Sequence, residues 1–257
     1  MAKPLTLLSA GMDREDAELP DAIARALPLL RDAPRAPDVS RGYLDLLGST
    51  AHEPPGPVQA LWESSAGTAG YDAAQGLGRR IFSSLRPPAG ALRLPQGGFA
   101  LDVGSGPGGV TAQLGRVVGP DGLALGVDVS ESMLARAVRA YGSPNVGFLR
   151  ADARRLPFPD GTVDAITCLA VLQLIPEPLA VVAELMRVLA PGGRLAIMVP
   201  SPGGRLTSRL GGLVAEPAGV RLLTGDELAE TLHASGAATV HTRQQSLVLR
   251  VLARKAV

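Results

Sequence analysis

The stretch Phe99-Ala-Leu-Asp-Val-Gly-Ser-Gly-Pro-Gly-Gly-Val110 constrains the chain more than any other. Phe99 to Val103 reads as a buried strand and Val110 to Val118 as a helix, with a glycine-dense turn between them. Gly104, Gly106, Gly108 and Gly109 leave out Cβ atoms where the backbone must turn tightly and where a ligand must approach it closely. The following helix points its first backbone N–H groups at whatever sits over the turn. Asp102, placed before the first glycine, adds a negative charge beside that spot.

From Gly98 onward, strands and helices alternate. Leu123–Asp128 is continuously apolar up to its final aspartate, as a strand buried on both faces should be. Ser130 is a good N-cap for the helix Glu131–Tyr141, and Pro178 suits the first position of the helix that continues through Leu179–Leu189. Asn145–Arg150, Val163–Leu169 and Arg194–Val199 read as further strands. Thr224 caps a helix over Asp226–Ala234, and the closing runs Ala238–Gln244 and Leu247–Ala253 pair antiparallel. This alternation predicts an α/β domain, a mostly parallel sheet with helices on both faces. Ligands of such sheets sit beyond the carboxyl ends of the strands, where the strand order reverses.

Residues 1–95 differ in character. Prolines crowd residues 1–57, which predicts an extended or loosely helical arm, and a helical pattern follows from Val58 to Leu85. The expected division is therefore 1–95 for a proline-rich arm and helical lid, and 96–257 for the ligand-binding domain. A net charge of +1 and 3% aromatic residues argue against a nucleic-acid partner. The lone Cys168 excludes an intrachain disulfide and a multi-cysteine metal site, and no metal is expected. The N-terminal apolar run is marginal for a leader and no run has the length of a membrane helix, so the expectation is an unprocessed cytoplasmic chain without stable membrane insertion.

Gly104-x-Gly106-x-x-Gly109 fits the dinucleotide fingerprint, with Asp128 placed 24 residues after Gly104 to meet a ribose. Three further stretches follow in order: Gly126-Val-Asp-Val-Ser-Glu-Ser-Met133, Ala151-Asp-Ala-Arg-Arg-Leu-Pro-Phe158, and Arg187-Val-Leu-Ala-Pro-Gly-Gly-Arg-Leu-Ala196. Together with Leu101-Asp-Val-Gly-Ser-Gly-Pro-Gly108 they resemble the class I S-adenosylmethionine-dependent methyltransferases. The branch they are most similar to includes the ubiquinone/menaquinone-biosynthesis C-methyltransferases (methyltransferase type 11), and the resemblance is close over residues 98–200.

The resemblance implies a Rossmann-like, doubly wound, seven-stranded sheet, mostly parallel with an antiparallel last strand, behind an N-terminal helical lid. It implies S-adenosyl-L-methionine as cofactor, held by the loop Gly104, Ser105, Gly106 and Gly108. Asp102 would favour the ammonium group of the methionine end, directly or through water, and Asp128 would accept from the ribose hydroxyls. Asp152 and the Ala153 N–H would meet the adenine edge, Val129 and Met133 its face, and Cys168 and Leu169 the methionine part. Tyr71, next to Asp72, resembles the tyrosine of the branch's lid. Gln173 stands where the branch often carries a histidine, so a histidine base from that loop is not expected. Gln173, Trp62 and His241 are the expected substrate contacts, and no catalytic residue is assigned.

The implied activity is methyl transfer by in-line displacement to a small acceptor, through O- or C-methylation of an apolar, quinone-like or secondary-metabolite molecule. Alignment of nucleophile, methyl and sulfur supplies much of such a reaction's acceleration. A nicotinamide-dependent oxidoreductase and a non-catalytic S-adenosylmethionine-binding protein are the alternatives. The chain is expected to act as a monomer or homodimer.

Overall fold

A computed structural model describes residues 19–48, 89–201, 221–245 and 248–257. Their order is α1 (Asp21–Ala26), β1 (Leu44–Asp45), α2 (Ala89–Leu92), β2 (Phe99–Val103), α3 (Gly109–Val118), β3 (Leu123–Asp128), α4 (Glu131–Tyr141) and β4 (Val146–Arg150). β5 (Val163–Leu169), α5 (Pro178–Val188), β6 (Leu189–Pro200), α6 (Gly225–Ala234), β7 (Ala237–Gln245) and β8 (Val248–Lys255) follow.

The strands form one sheet in the order β1-β4-β3-β2-β5-β6-β8-β7. Neighbours from β1 to β6 run parallel, while β8 is antiparallel to both β6 and β7. The expected doubly wound sheet with an antiparallel last strand is present. Its eighth strand, β1, is a two-residue edge strand from the proline-rich arm, a pairing that no local pattern announces. The order reverses at β2, whose neighbours are β3 and β5, so the glycine turn lies at the crevice between them.

Alternation along the strands sorts the two faces by size. Leu101, Val103, Leu125, Val127 and Ile166 pack with α1, α5 and α6 into one core. Ala100, Ala124, Ala165 and Ala196 pack with α2, α3 and α4 into the other. Small residues on that second face let α3 and α4 approach the sheet, which keeps the glycine turn close to the strand ends.

The caps fall where the sequence puts them. Ser130 Oγ accepts the Met133 N–H at 3.5 Å, and Thr224 and Glu227 form a reciprocal capping box at α6. Pro178 opens α5. The Ala190–Gly193 turn survives as an irregularity within β6, where the register with β5 jumps between Val163 and Ala165.

Residues 19–48 share the core of the sheet. Ile23, Ala26 and Leu44 are fully buried, and the Arg25 guanidinium donates to the Pro120 and Asp121 carbonyls. The expected helical lid, with Trp62 and Tyr71, lies outside the described residues. Among the described residues no helix is long and apolar enough to cross a membrane.

Candidate functional site

The site begins with Asp102 near the carboxyl end of β2. Its side chain is 2% exposed, and its oxygens accept the Thr111 hydroxyl of α3 and the Thr167 hydroxyl of β5, each at 2.7 Å. The Thr111 backbone N–H donates to the same carboxylate. Asp102 thus lies beneath the turn and ties two strands to the first turn of the helix, where a negative charge is favoured. Burial pushes its pKa up to about 6; the nearby Asp128 charge adds to this, and the threonine hydrogen bonds oppose it. Thr111 and Thr167 were not singled out from sequence. Thr167 stands opposite Asp102 in register, and that pairing is visible only once the sheet is assembled.

Above Asp102, the Gly104 and Ser105 N–H groups both donate to the Val127 carbonyl, at 2.7 and 3.0 Å. The glycines then divide by role. Gly104 has φ +70, and a Cβ there would lie 2.1 Å from Val171. Gly108 has φ +83, and a Cβ would lie 2.8 Å from the Phe148 ring and 2.9 Å from Ala137. Both are demanded by packing and backbone conformation. Gly106 also has a positive φ, +50, but nothing lies within 4 Å of the position its Cβ would take. Its missing side chain keeps the turn's open surface clear. Ser105 turns its side chain inward, where the hydroxyl is buried and without a hydrogen-bond partner. Only its backbone can serve a ligand over the turn.

Asp128, at the end of β3, joins the turn to the next helix. One oxygen accepts the Gly106 N–H at 2.8 Å and the other the Ser130 N–H at 2.9 Å. Val129 is braced by Arg150, whose Nε donates to its carbonyl at 3.1 Å. Met133 is buried on α4. Asp152, half-buried after β4, pairs with the Arg154 guanidinium at 2.8 Å, and Ala153 beside it is buried.

On the other side of the turn, the backbone after β5 carries Ala170 at φ +60, and a short 3₁₀ turn spans Leu172–Leu174. Gln173 is buried there, with its amide N–H donating to the Ala170 carbonyl at 2.7 Å. Its side-chain oxygen is buried without a partner, a costly state that a ligand donor would relieve. Leu169 is half-buried at the strand end. Cys168 is fully enclosed in the core, and burial drives its thiol pKa far up. The expected contact of its side chain with a ligand is therefore not supported by its position.

His241 is not brought to this place. It is exposed on the edge strand β7, four strand steps from β2, or about 19 Å across the sheet. His233 closes α6 with a hydrogen bond between its Nδ1 and the Ala237 carbonyl at 3.0 Å.

An ion-pair network beside the site was not anticipated. Asp45 of β1 pairs with Arg41 at 2.6 Å and Arg150 at 3.1 Å, and both arginines reach Glu131 in the first turn of α4. Burial raises the Asp45 pKa, but the Gly48 and Leu47 N–H groups and Arg150 together bring it below the usual carboxylate range. The network fixes the arm to the segment carrying Asp128 and Val129. Its members are scattered over residues 41–150, and only the β1–β4 pairing gathers them.

The model of the methyltransferase domain family matches residues 101–197. A ubiquinone/menaquinone biosynthesis C-methyltransferase, UbiE of Saccharophagus degradans, is 39% identical over 102 residues, 38% of this chain and 41% of that protein. The UbiE of Pseudomonas putida strain F1 is 36% identical over 118 residues, 44% of this chain and 46% of that protein. The matched region thus spans under half the length of these curated relatives. Among solved structures, an S-adenosylmethionine-dependent methyltransferase from Aquifex aeolicus is similar with a TM-score of 0.53 and 25% identity, over 69% of this chain and 98% of that one. Residues 101–197, which carry the glycine turn and the central strands of the sheet, are thus similar to methyltransferase domains in sequence and in fold.

Proposed function

We propose that the chain transfers a methyl group from S-adenosylmethionine to a small acceptor. The reading rests above all on Gly106, whose N–H is held by Asp128 while the space over it stays clear. A turn of this shape suits a nucleoside lying flat on the backbone with its ribose at Asp128. The turn from Gly104 to Gly109 holds no lysine or arginine, and the carboxylates of Asp102 and Asp128 flank it. That charge pattern favours an ammonium- and sulfonium-bearing ligand and disfavours the pyrophosphate of a nicotinamide dinucleotide.

In this reading Asp152 and the Ala153 N–H meet the adenine edge, and Val129 and Met133 its face. The backbones of Ser105 and Leu169 border the methionine end, with Asp102 contributing its charge from beneath, and Tyr71 closes the lid. The bound cofactor supplies a methyl group activated by a sulfonium. The chain's task is to hold that group in line with the acceptor and to keep water out. A base is needed only where the acceptor loses a proton. The orphaned Gln173 oxygen is a fitting contact for an acceptor or cofactor donor, and Trp62 is a second substrate-side residue. The relatives' names favour C-methylation of an apolar, quinone-like acceptor, with O-methylation the neighbouring chemistry.

Calorimetric titration with S-adenosylhomocysteine and with NAD⁺ tests the assignment. Binding of the first and not the second is expected, with loss of binding in Gly106→Val. The reverse preference would overturn it.

A further inference from the structure

We infer that the chain has a second ligand site, for a small phosphate-bearing anion, in a cleft at the end of the sheet opposite the glycine turn. The cleft has a volume of about 380 Å³, within the usual range for small-ligand sites, and lies at the amino ends of β5 and β6. Three guanidinium-bearing residues line it, Arg93, Arg194 and Arg254, between walls that include Pro95 and Pro191.

Arg194 and Arg254 stand directly opposite each other on the antiparallel pair β6–β8. Residues so paired send their side chains to the same face, and like charges there destabilise the sheet. Arg93, in the turn after α2, adds a third positive charge from a left-handed backbone at φ +46, which a non-glycine residue adopts at a cost. Arg194 is anchored by a bond from its Nη1 to the Ala91 carbonyl at 2.9 Å. Its pKa is held down first by burial and then by Arg93 and Arg254. Among the described residues, the side chains of Arg93 and Arg254 make no hydrogen bond or ion pair. The one carboxylate in the lining, Asp164, uses an oxygen to accept the Phe99 N–H at 2.8 Å. Three guanidinium groups against one carboxylate leave the lining with a net positive charge.

Among the described lining residues, the arrangement gathers three like charges against the single carboxylate of Asp164. Guanidinium forks match the oxygens of phosphate in two-point contacts, and a phosphate dianion between them would turn mutual repulsion into attraction. A strand length, roughly 16 Å, separates this cleft from the turn, so its ligand does not compete with the one bound there.

Calorimetry of the full chain with inorganic pyrophosphate, and separately with inorganic phosphate, tests the site against sodium chloride of equal ionic strength. One pyrophosphate per chain is expected, weakened at least about tenfold in the Arg93→Gln/Arg254→Gln double variant. Arg139→Gln, which removes an exposed arginine of α4, should leave it unchanged. Without phosphate, the double variant should melt no lower than the parent, because it loses repulsion and no hydrogen bond. S-adenosylhomocysteine affinity should be the same in both. Absence of pyrophosphate binding, equal binding in the double variant, or equal loss in Arg139→Gln would overturn the proposal.

Discussion

Asp128 holds the Gly106 and Ser130 N–H groups before any ligand arrives, so its removal has two consequences. Asp128→Ala frees both donors and withdraws the acceptor proposed for the ribose. Affinity for S-adenosylhomocysteine should fall by on the order of 1.5–3 kcal/mol, read by calorimetry on protein shown to be folded by circular dichroism. Unchanged affinity would move the ribose elsewhere. Asp102 makes a different prediction. Its folded pKa, about 6, lies above the ordinary carboxylate value, so the folded state binds the proton more tightly than the unfolded chain. Its contribution to stability is complete below about pH 4 and is lost as the pH rises through 6. Asp102→Asn should remove a descending stretch of the stability curve, on the order of 3 kcal/mol between pH 4 and 7. Urea denaturation of both proteins across that interval measures it, and parallel curves would contradict it. At this scale the candidates were legible because carboxylates before and after a glycine turn carry meaning in one dimension. Their partners were not. Thr167 is 65 residues from Asp102, and only strand pairing brings the two together.

The glycine turn is the element on which the proposed function depends, and its members should respond differently to the same substitution. Gly108→Ala places a methyl group 2.8 Å from Phe148 and forces φ +83 on a non-glycine residue. It should destabilise the fold by about 2 kcal/mol or more, seen as a lower denaturation midpoint. Gly106→Ala meets no atom and bears only the left-handed strain, about 1 kcal/mol, so it should remain folded and lose cofactor affinity. Equal destabilisation by both would refute the division into packed and open glycines. The sequence marked all the glycines alike, since a one-dimensional pattern records a missing side chain without recording what occupies the space. Helix starts were more legible: Ser130, Pro178 and Thr224 act on their own helices, and the signal and its effect lie within one turn.

For the whole molecule, the consequential feature is that residues 19–48 share the sheet's core. Ile23 is fully buried against it, and the Asp45 network links the arm to the strand end that carries Asp128. Ile23→Ala should lower global stability by about 2–4 kcal/mol and leave one unfolding transition when fluorescence and circular dichroism are compared. An additional early transition would mean that the arm unfolds by itself.

The chain's alternation of apolar strands with amphipathic helices, its caps and its glycine turn were decided by local sequence, because each rests on contacts between near neighbours. The order of the strands, the edge strand β1, the burial of Cys168, the distance of His241 and the meeting of Arg93, Arg194 and Arg254 were decided by tertiary structure alone. Each depends on which residues, far apart in the chain, are set side by side once the sheet has paired, and pairing between distant strands leaves no mark in a local pattern.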